Sequence, residues 1–318
     1  MRPGLILSTP LLVLALAGCG GEDVSFRWKP GEARTYLRTE ESEGRAPDGS
    51  TRVATMEITT TETAVEVIPG TSATLKVAFD RLAGEFRRGP DRPVLRYDSG
   101  SPLPAPAEGD AESAAFLRSR AGILSLAGKS LDATWHPSGM WVKFECLEAM
   151  RKEMTEGRPE GHPMHEEAAR IASTQVMHHL LRPHLVVGET SLQVGEPRHF
   201  QDMGFLPESV GVVGFMYVRG KYVLKSVADG VARVEMEAEV GLDPLPGMPP
   251  WPPAAAALRN RMRLGRGTCK GFARIETATG RLIEDEVVTE LDLHLAAPDG
   301  KSEVPVPAKA TRRLKLIR

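Results

Sequence analysis

Five of the chain's eight histidines, His162, His165, His178, His179 and His184, fall within 23 residues. With the carboxylates Glu166 and Glu167 they form a donor set that zinc or copper accepts. Their order argues against a single ion. His162 and His165 flank Pro163 at the expected start of a helix, and His178 and His179 lie at its end. A straight helix from Glu166 to Leu181 is about 22 Å long at 1.5 Å per residue. His162 and His165 therefore stay as the candidate metal ligands, while His178 and His179 read as exposed residues favoured by the negative end of the helix dipole. HPMHEE is also not the HExxH of a metalloprotease helix. The expected role of these residues is structural, with no metal and no other cofactor.

Other chemistry-bearing patterns fail on spacing. Gly122 and Gly128-Lys129-Ser130 imitate a phosphate-binding loop, but five residues separate the glycines where four are needed, and the insert ILSLA is apolar. No GxSxG elbow occurs, and neither Cys146 nor Cys269 belongs to a CxxC pair. Asp98 in RYDSG has no sequence-visible partner, and His199 and His294 read as surface or strand residues. No catalytic residue is assigned. The alternative is a metal-dependent or other hydrolase whose site is assembled from distant residues.

The elements that would position any site are mainly strands. In VARVEMEAEV (231–240), Val234, Met236, Ala238 and Val240 alternate with Arg233, Glu235, Glu237 and Glu239, as in an antiparallel strand with one wet face. Thr74–Phe86 places Leu75, Val77 and Phe79 on one side, and Ala54, Met56 and Ile58 line a β-branched run ending at Val67. Tyr217–Val227 and Lys270–Thr277 are further strands. IPGTS, ADGVA, HPSGM, TATGR and APDGK supply glycine at reversals. Leu282–Leu295 carries Glu284, Glu286, Glu290 and Asp292 on one face, and KATRRLKLIR offers Lys309, Arg313 and Lys315. Opposite charges predict that these two strands pair, neutralising the acidic face.

Helices are expected in the middle. Leu147, Met150 and Met154 recur at helical spacing within Phe144–Thr155. A second helix should run from the Pro163 region to before Pro183, and a short one is placed near Ala111–Arg118. SPLPAP and PLPGMPPWPP read as stiff connectors. WKPGEARTYL is echoed by LQVGEPRHFQ (192–201), and each is followed by a strand pair, a Pro-rich excursion and a hairpin. This order suggests a diverged duplication, with halves at 26–143 and 192–318 joined by a helical junction at 144–191. The expected fold is β-rich α+β: antiparallel sheets, as two related strand sets or a curved open barrel, with helices at the junction. Such a shell with a helical lid can enclose an apolar cavity, and Met150 and Met154 would suit a hydrophobic ligand.

The chain opens MRPGLILSTPLLVLALAGCGGED. About a dozen apolar residues are too few to span a bilayer, which needs about 20, so residues 1–18 read as a signal peptide. Leu16-Ala17-Gly18-Cys19 resembles the lipobox of bacterial lipoproteins. That resemblance implies cleavage before Cys19, which becomes an acylated N-terminus. Two or more acyl chains hold a protein stably on a membrane. Residues 19–25 are then a lipidated start and short tether, and its six residues after the cysteine reach about 20 Å at most. Gly20 rather than Asp after the cysteine implies the periplasmic face of the outer membrane more than the inner membrane.

A hydrophobic content of 41% supports a real core, and a net charge of −2 gives no reason to expect nucleic acid. Aromatics, at 5%, are too sparse for a carbohydrate-stacking platform. Cys146 and Cys269 form an even pair in an oxidising compartment. A disulfide between them would contribute roughly 4 to 5 kcal/mol on the chain-entropy account; two separate buried thiols are the alternative. The KPGEARTYL opening, the ADGVA hairpin and the TATGRL hairpin together resemble an uncharacterised family of secreted bacterial lipoproteins. The resemblance spans most of the mature chain and implies no activity and no site residues. The functional expectation is a non-enzymatic, membrane-anchored envelope lipoprotein that binds a hydrophobic ligand or an envelope protein.

Overall fold

The computed structural model describes residues 21–46, 48–106, 110–181, 183, 191–210, 215–242, 259–297 and 302–318. The leader, Cys19, His184, the segment PLPGMPPWPP and most of the APDGK turn lie outside them. The strands are β1 (Glu22–Asp23), β2 (Ala33–Arg45), β3 (Thr51–Ile68), β4 (Ser72–Arg88), β5 (Leu95–Asp98), β6 (Ser130–Trp135), β7 (Trp141–Phe144), β8 (Ser191–Leu192), β9 (Pro197–Phe205), β10 (Phe215–Ala228), β11 (Val231–Gly241), β12 (Met262–Glu276), β13 (Arg281–Ala296), β14 (Glu303–Pro305) and β15 (Ala308–Leu316). The helices are α1 (Ala111–Leu124), α2 (Leu147–Thr155), α3 (Pro163–Ile171) and α4 (Thr174–Leu181).

Thirteen strands form one antiparallel sheet in the order β7-β6-β4-β3-β2-β15-β13-β12-β11-β10-β9, with β5 and β14 as side pieces on β4 and β13. It is not closed into a barrel. The alternating sequences bury one face. Leu75, Val77 and Phe79 on β4 are fully buried, as is Val234 on β11, while Glu237 and Glu239 stay wet. Turn chemistry fixes the register. Asp229 (φ 51°) and Gly230 (φ 74°) both adopt positive φ between β10 and β11, as a two-residue hairpin with the right twist requires. The predicted pairing of the acidic and basic strands is present: Glu284, Glu286 and Glu290 on β13 face Lys315, Arg313 and Lys309 on β15.

The first and last long strands meet at the centre of the sheet, where β15 pairs with β2 in register Thr311↔Glu41. On either side of this seam the strands run in matching order, β2-β3-β4-β6-β7 and β9-β10-β11-β12-β13. The β3–β4, β6–β7, β10–β11 and β12–β13 turns mark one end of the sheet, the foot. The sheet curls enough there for residues 24–28 to strap its two arms together. The Phe26 N–H donates to Pro137 O (2.7 Å) in one arm, and the Arg27 N–H to Gly280 O (3.3 Å) in the other. Val24, Phe26 and Trp28 on this strap are buried, and strands from both arms share one apolar core with the helices.

The helical region departs from expectation in three ways. Residues 141–144 are strand β7, so α2 begins only at Leu147, and α1 extends to Leu124 rather than Arg118. The single helix expected from Glu166 to Leu181 breaks at Ala172-Ser173. Ser173 starts a new helix, its hydroxyl donating to Arg170 O (2.7 Å) and accepting from the Val176 N–H (3.4 Å). Arg151 on α2 donates twice to the Ala172 carbonyl (3.1 and 3.0 Å), which satisfies the chain at the break.

Candidate functional site

The sequence-predicted residues do not converge. His162 is the N-cap of α3, its Nδ1 accepting from the Met164 N–H (3.1 Å), and His165 Nε2 lies 3.2 Å from Pro159 O. Among the described residues no group of three or more His, Cys, Asp or Glu side chains is placed to hold a metal ion. Cys146 and Cys269, weighed as a disulfide or as two separate thiols, are both free thiols in the structure. Cys146 is exposed at the start of α2, whereas Cys269 is buried on β12 beside Thr289 Oγ1 (3.6 Å). The phosphate-loop look-alike runs from helix α1 to strand β6, the reverse of the strand-to-helix order such loops need. Met150 and Met154 are 2% and 6% exposed within the shared core. Both are packed against core side chains rather than exposed.

His178 and His179 correct the expectation of exposed helix-end residues. Both are half-buried; His178 packs edge-on against Phe144 at 5.0 Å, and His179 meets Phe205 at 4.5 Å with the rings tilted by 48°. His179 Nε2 stands 3.5 Å from Glu40 Oε2 inside the curl. This contact belongs to a buried charge cluster that the sequence reading missed. The inward face of β2 is Arg34, Tyr36, Arg38, Glu40 and Ser42, all buried. Arg312 on the neighbouring β15 makes a two-pronged contact with Glu40 (3.0 and 3.2 Å). Arg38 donates to Glu62 (2.7 Å), to Thr60 and to the carbonyl of Leu181 (2.6 Å), the last residue of α4.

The two buried carboxyls respond oppositely. Burial alone would raise Glu40, but the Arg312 guanidinium and His179 outweigh it and hold the carboxyl well below the usual range. Burial also raises Glu62, and there it prevails over Arg38, whose donors are shared among three acceptors. Every charge named here is committed to a neighbour. The cluster is therefore a clamp holding α4 against the seam, as buried charges require partners. The period-2 run of charges on β2 was the available signal, but its opposite face is equally polar.

The wet side of the same seam carries a different feature. A groove of about 730 Å³ crosses β2, β15, β13 and β12, and Arg45, Arg266, Lys270, Glu290, Asp292 and Lys309 line it with mixed charge. Lys309 lies 2.9 Å from Glu290 and lowers its pKa by hydrogen bonding. A second groove of about 560 Å³ adjoins it through Arg266 and Thr268. The first is built mainly on strands of the sheet, so most of its side chains are presented by hydrogen-bonded backbone; the second also takes in Leu242 and Arg259, which lie outside the strands. The arrangement can recognise a surface of alternating charge; its described lining residues include no histidine or cysteine.

No protein-family model matches the chain, and no curated protein matches it. Among solved structures it is similar to lipovitellin, from work on lipid–protein interactions, at 12% identity and a TM-score of 0.46. That match covers 91% of this chain and 25% of the lipovitellin chain, so the chain spans about a quarter of that protein's length. It is also similar to the Pseudomonas aeruginosa protein OccK5 (OpdH) at 7% identity and a TM-score of 0.23, covering 90% of this chain and 99% of the other. Likenesses this weak carry no argument about what this chain binds.

Proposed function

We propose that this chain is a non-enzymatic envelope lipoprotein, acylated at Cys19, that uses its curled sheet as a binding module for a protein partner. The observation that carries the binding reading is the larger groove on the wet face of the seam, whose charged side chains stand on strands of the sheet. Among the described residues, side chains from both arms and the helices pack into one core, which supports a protein partner over a hydrophobic ligand. The outward charges also set the sheet apart from a membrane-spanning barrel, which turns apolar residues outward. Arg313, for example, lies 2.5 Å from Glu286 and 3.1 Å from Glu41 on that face.

The anchor places the protein in the cell envelope, on the periplasmic face of the outer membrane by the Gly20 rule. Native mass spectrometry of the chain extracted from membranes tests the binding reading. A protein free of any co-purified lipid beyond its own acyl groups is the expected result. A stoichiometric lipid-sized ligand would overturn the filled interior and restore a carrier reading.

A further inference from the structure

Large apolar side chains standing singly in water are ordinary; their position decides whether they mean anything. Among the described residues seven are exposed: Val65, Ile68, Val94, Met140, Val142, Val194 and Ile317. Val94 adjoins the Leu95↔Phe86 pairing at the end of the sheet away from the foot. The other six, between 49% and 63% exposed, lie towards the foot. Val65 and Ile68 end β3, Met140 and Val142 belong to the β6–β7 hairpin, Val194 precedes β9, and Ile317 follows β15. The neighbouring hairpins are one surface, since Ala73 beside the β3–β4 turn pairs with Trp135 beside the β6–β7 turn.

The chain enters the fold at this same end. Gly21 packs against Ser191 and Leu192, two residues from Val194. The strap that follows bonds to the β6–β7 turn through Phe26 and carries the exposed Arg27 and Lys29. Cys19 is two residues before Gly21, at most about 7 Å of extended chain. An acyl anchor so short brings whatever surrounds Gly21 to the lipid.

We infer that the foot of the sheet seats on the bilayer surface, with Val65, Ile68, Met140, Val142 and Val194 resting at the headgroup boundary and the seam grooves facing away. This rests on acylation of Cys19, and it goes further by fixing which end of the molecule meets lipid. Valine, isoleucine and methionine at such a rim add shallow apolar contact to the anchor, while Arg27 and Lys29 suit anionic headgroups.

The test uses the full chain with Cys146→Ser, extracted from membranes and reconstituted in vesicles of phosphatidylethanolamine and phosphatidylglycerol. A nitroxide is placed at Met140→Cys, at Val142→Cys or, as control, at Val94→Cys. Intact mass reports acylation, and collision of each nitroxide with a water-soluble nickel chelate reports exposure. The seat predicts a severalfold loss of collision at positions 140 and 142 on vesicles and none at 94. Acylated protein with all three labels equally accessible overturns the seat and leaves the anchor standing. Equal shielding of 140 and 142 after delivery into detergent-free buffer without vesicles assigns the surface to a second copy and overturns it too. A mass without acyl groups removes the anchor and the seat together.

Discussion

Glu40 Oε2 meets both a guanidinium and an imidazole, and the three groups come from positions 40, 179 and 312. Replacing it as Glu40→Gln leaves Arg312, 12% exposed, with a poorer partner. The expected cost is about 3 to 5 kcal/mol, the range for breaking a buried pair from one side, and urea unfolding measures it. The pH dependence has a definite sign. A carboxyl held below its unfolded value contributes stability that is full above the ordinary glutamate pKa of 4.5 and is lost as pH falls through the folded value. The wild-type protein should therefore lose stability more steeply than Glu40→Gln between about pH 5 and about pH 3. Glu62, raised by burial, acts in the opposite direction in both proteins, so their difference is the clean readout. Equal slopes would remove Glu40 from the clamp. None of this was legible in sequence, because Arg38 and Glu40 look like exposed strand charges until partners from elsewhere in the chain close over them.

At the scale of elements, the strands were legible and the helix break was not. Alternation located β3, β4 and β11, and opposite charge correctly paired β13 with β15. Ala172 and Ser173 interrupt nothing in the apolar spacing, so the pattern ran through them as one helix. Ser173→Ala should cost about 1 kcal/mol through loss of the cap, read as a lower midpoint in thermal unfolding; an unchanged midpoint would mean that Arg151 alone holds the break. Arg313→Ala tests the opposite kind of interaction. Arg313 touches both Glu286 and Glu41, yet it is 46% exposed, so its removal should cost no more than about 1 kcal/mol and less in high salt. The pairing of β15 with β2 could not be foreseen: the first and last long strands lie far apart in sequence, and only the joining of the two arms into one sheet places them side by side.

At the scale of the whole molecule, the strap over the foot joins the arms. Phe26 is 3% exposed and meets Trp135 edge-on at 5.7 Å. Phe26→Ala should cost about 3 to 5 kcal/mol, and hydrogen exchange at the β6–β7 and β12–β13 turns should quicken together. Quickening at one turn alone would contradict the strap. We propose that the arms descend from a duplication, since Gly31 and Gly195, Gly70 and Gly230, and Gly139 and Gly280 hold positive φ at corresponding turns. The turn glycines made that order visible in sequence, and a curved open sheet was one of the two arrangements expected; that both arms pack into one core was not visible, because it depends on long-range packing. The central claim is the anchor at Cys19, and the intact mass of the membrane-extracted chain tests it most directly. The predicted mass begins at Cys19 and carries a diacylglyceryl group and an amide-linked acyl chain. A mass beginning at Gly18 or Cys19 without acyl groups would contradict it.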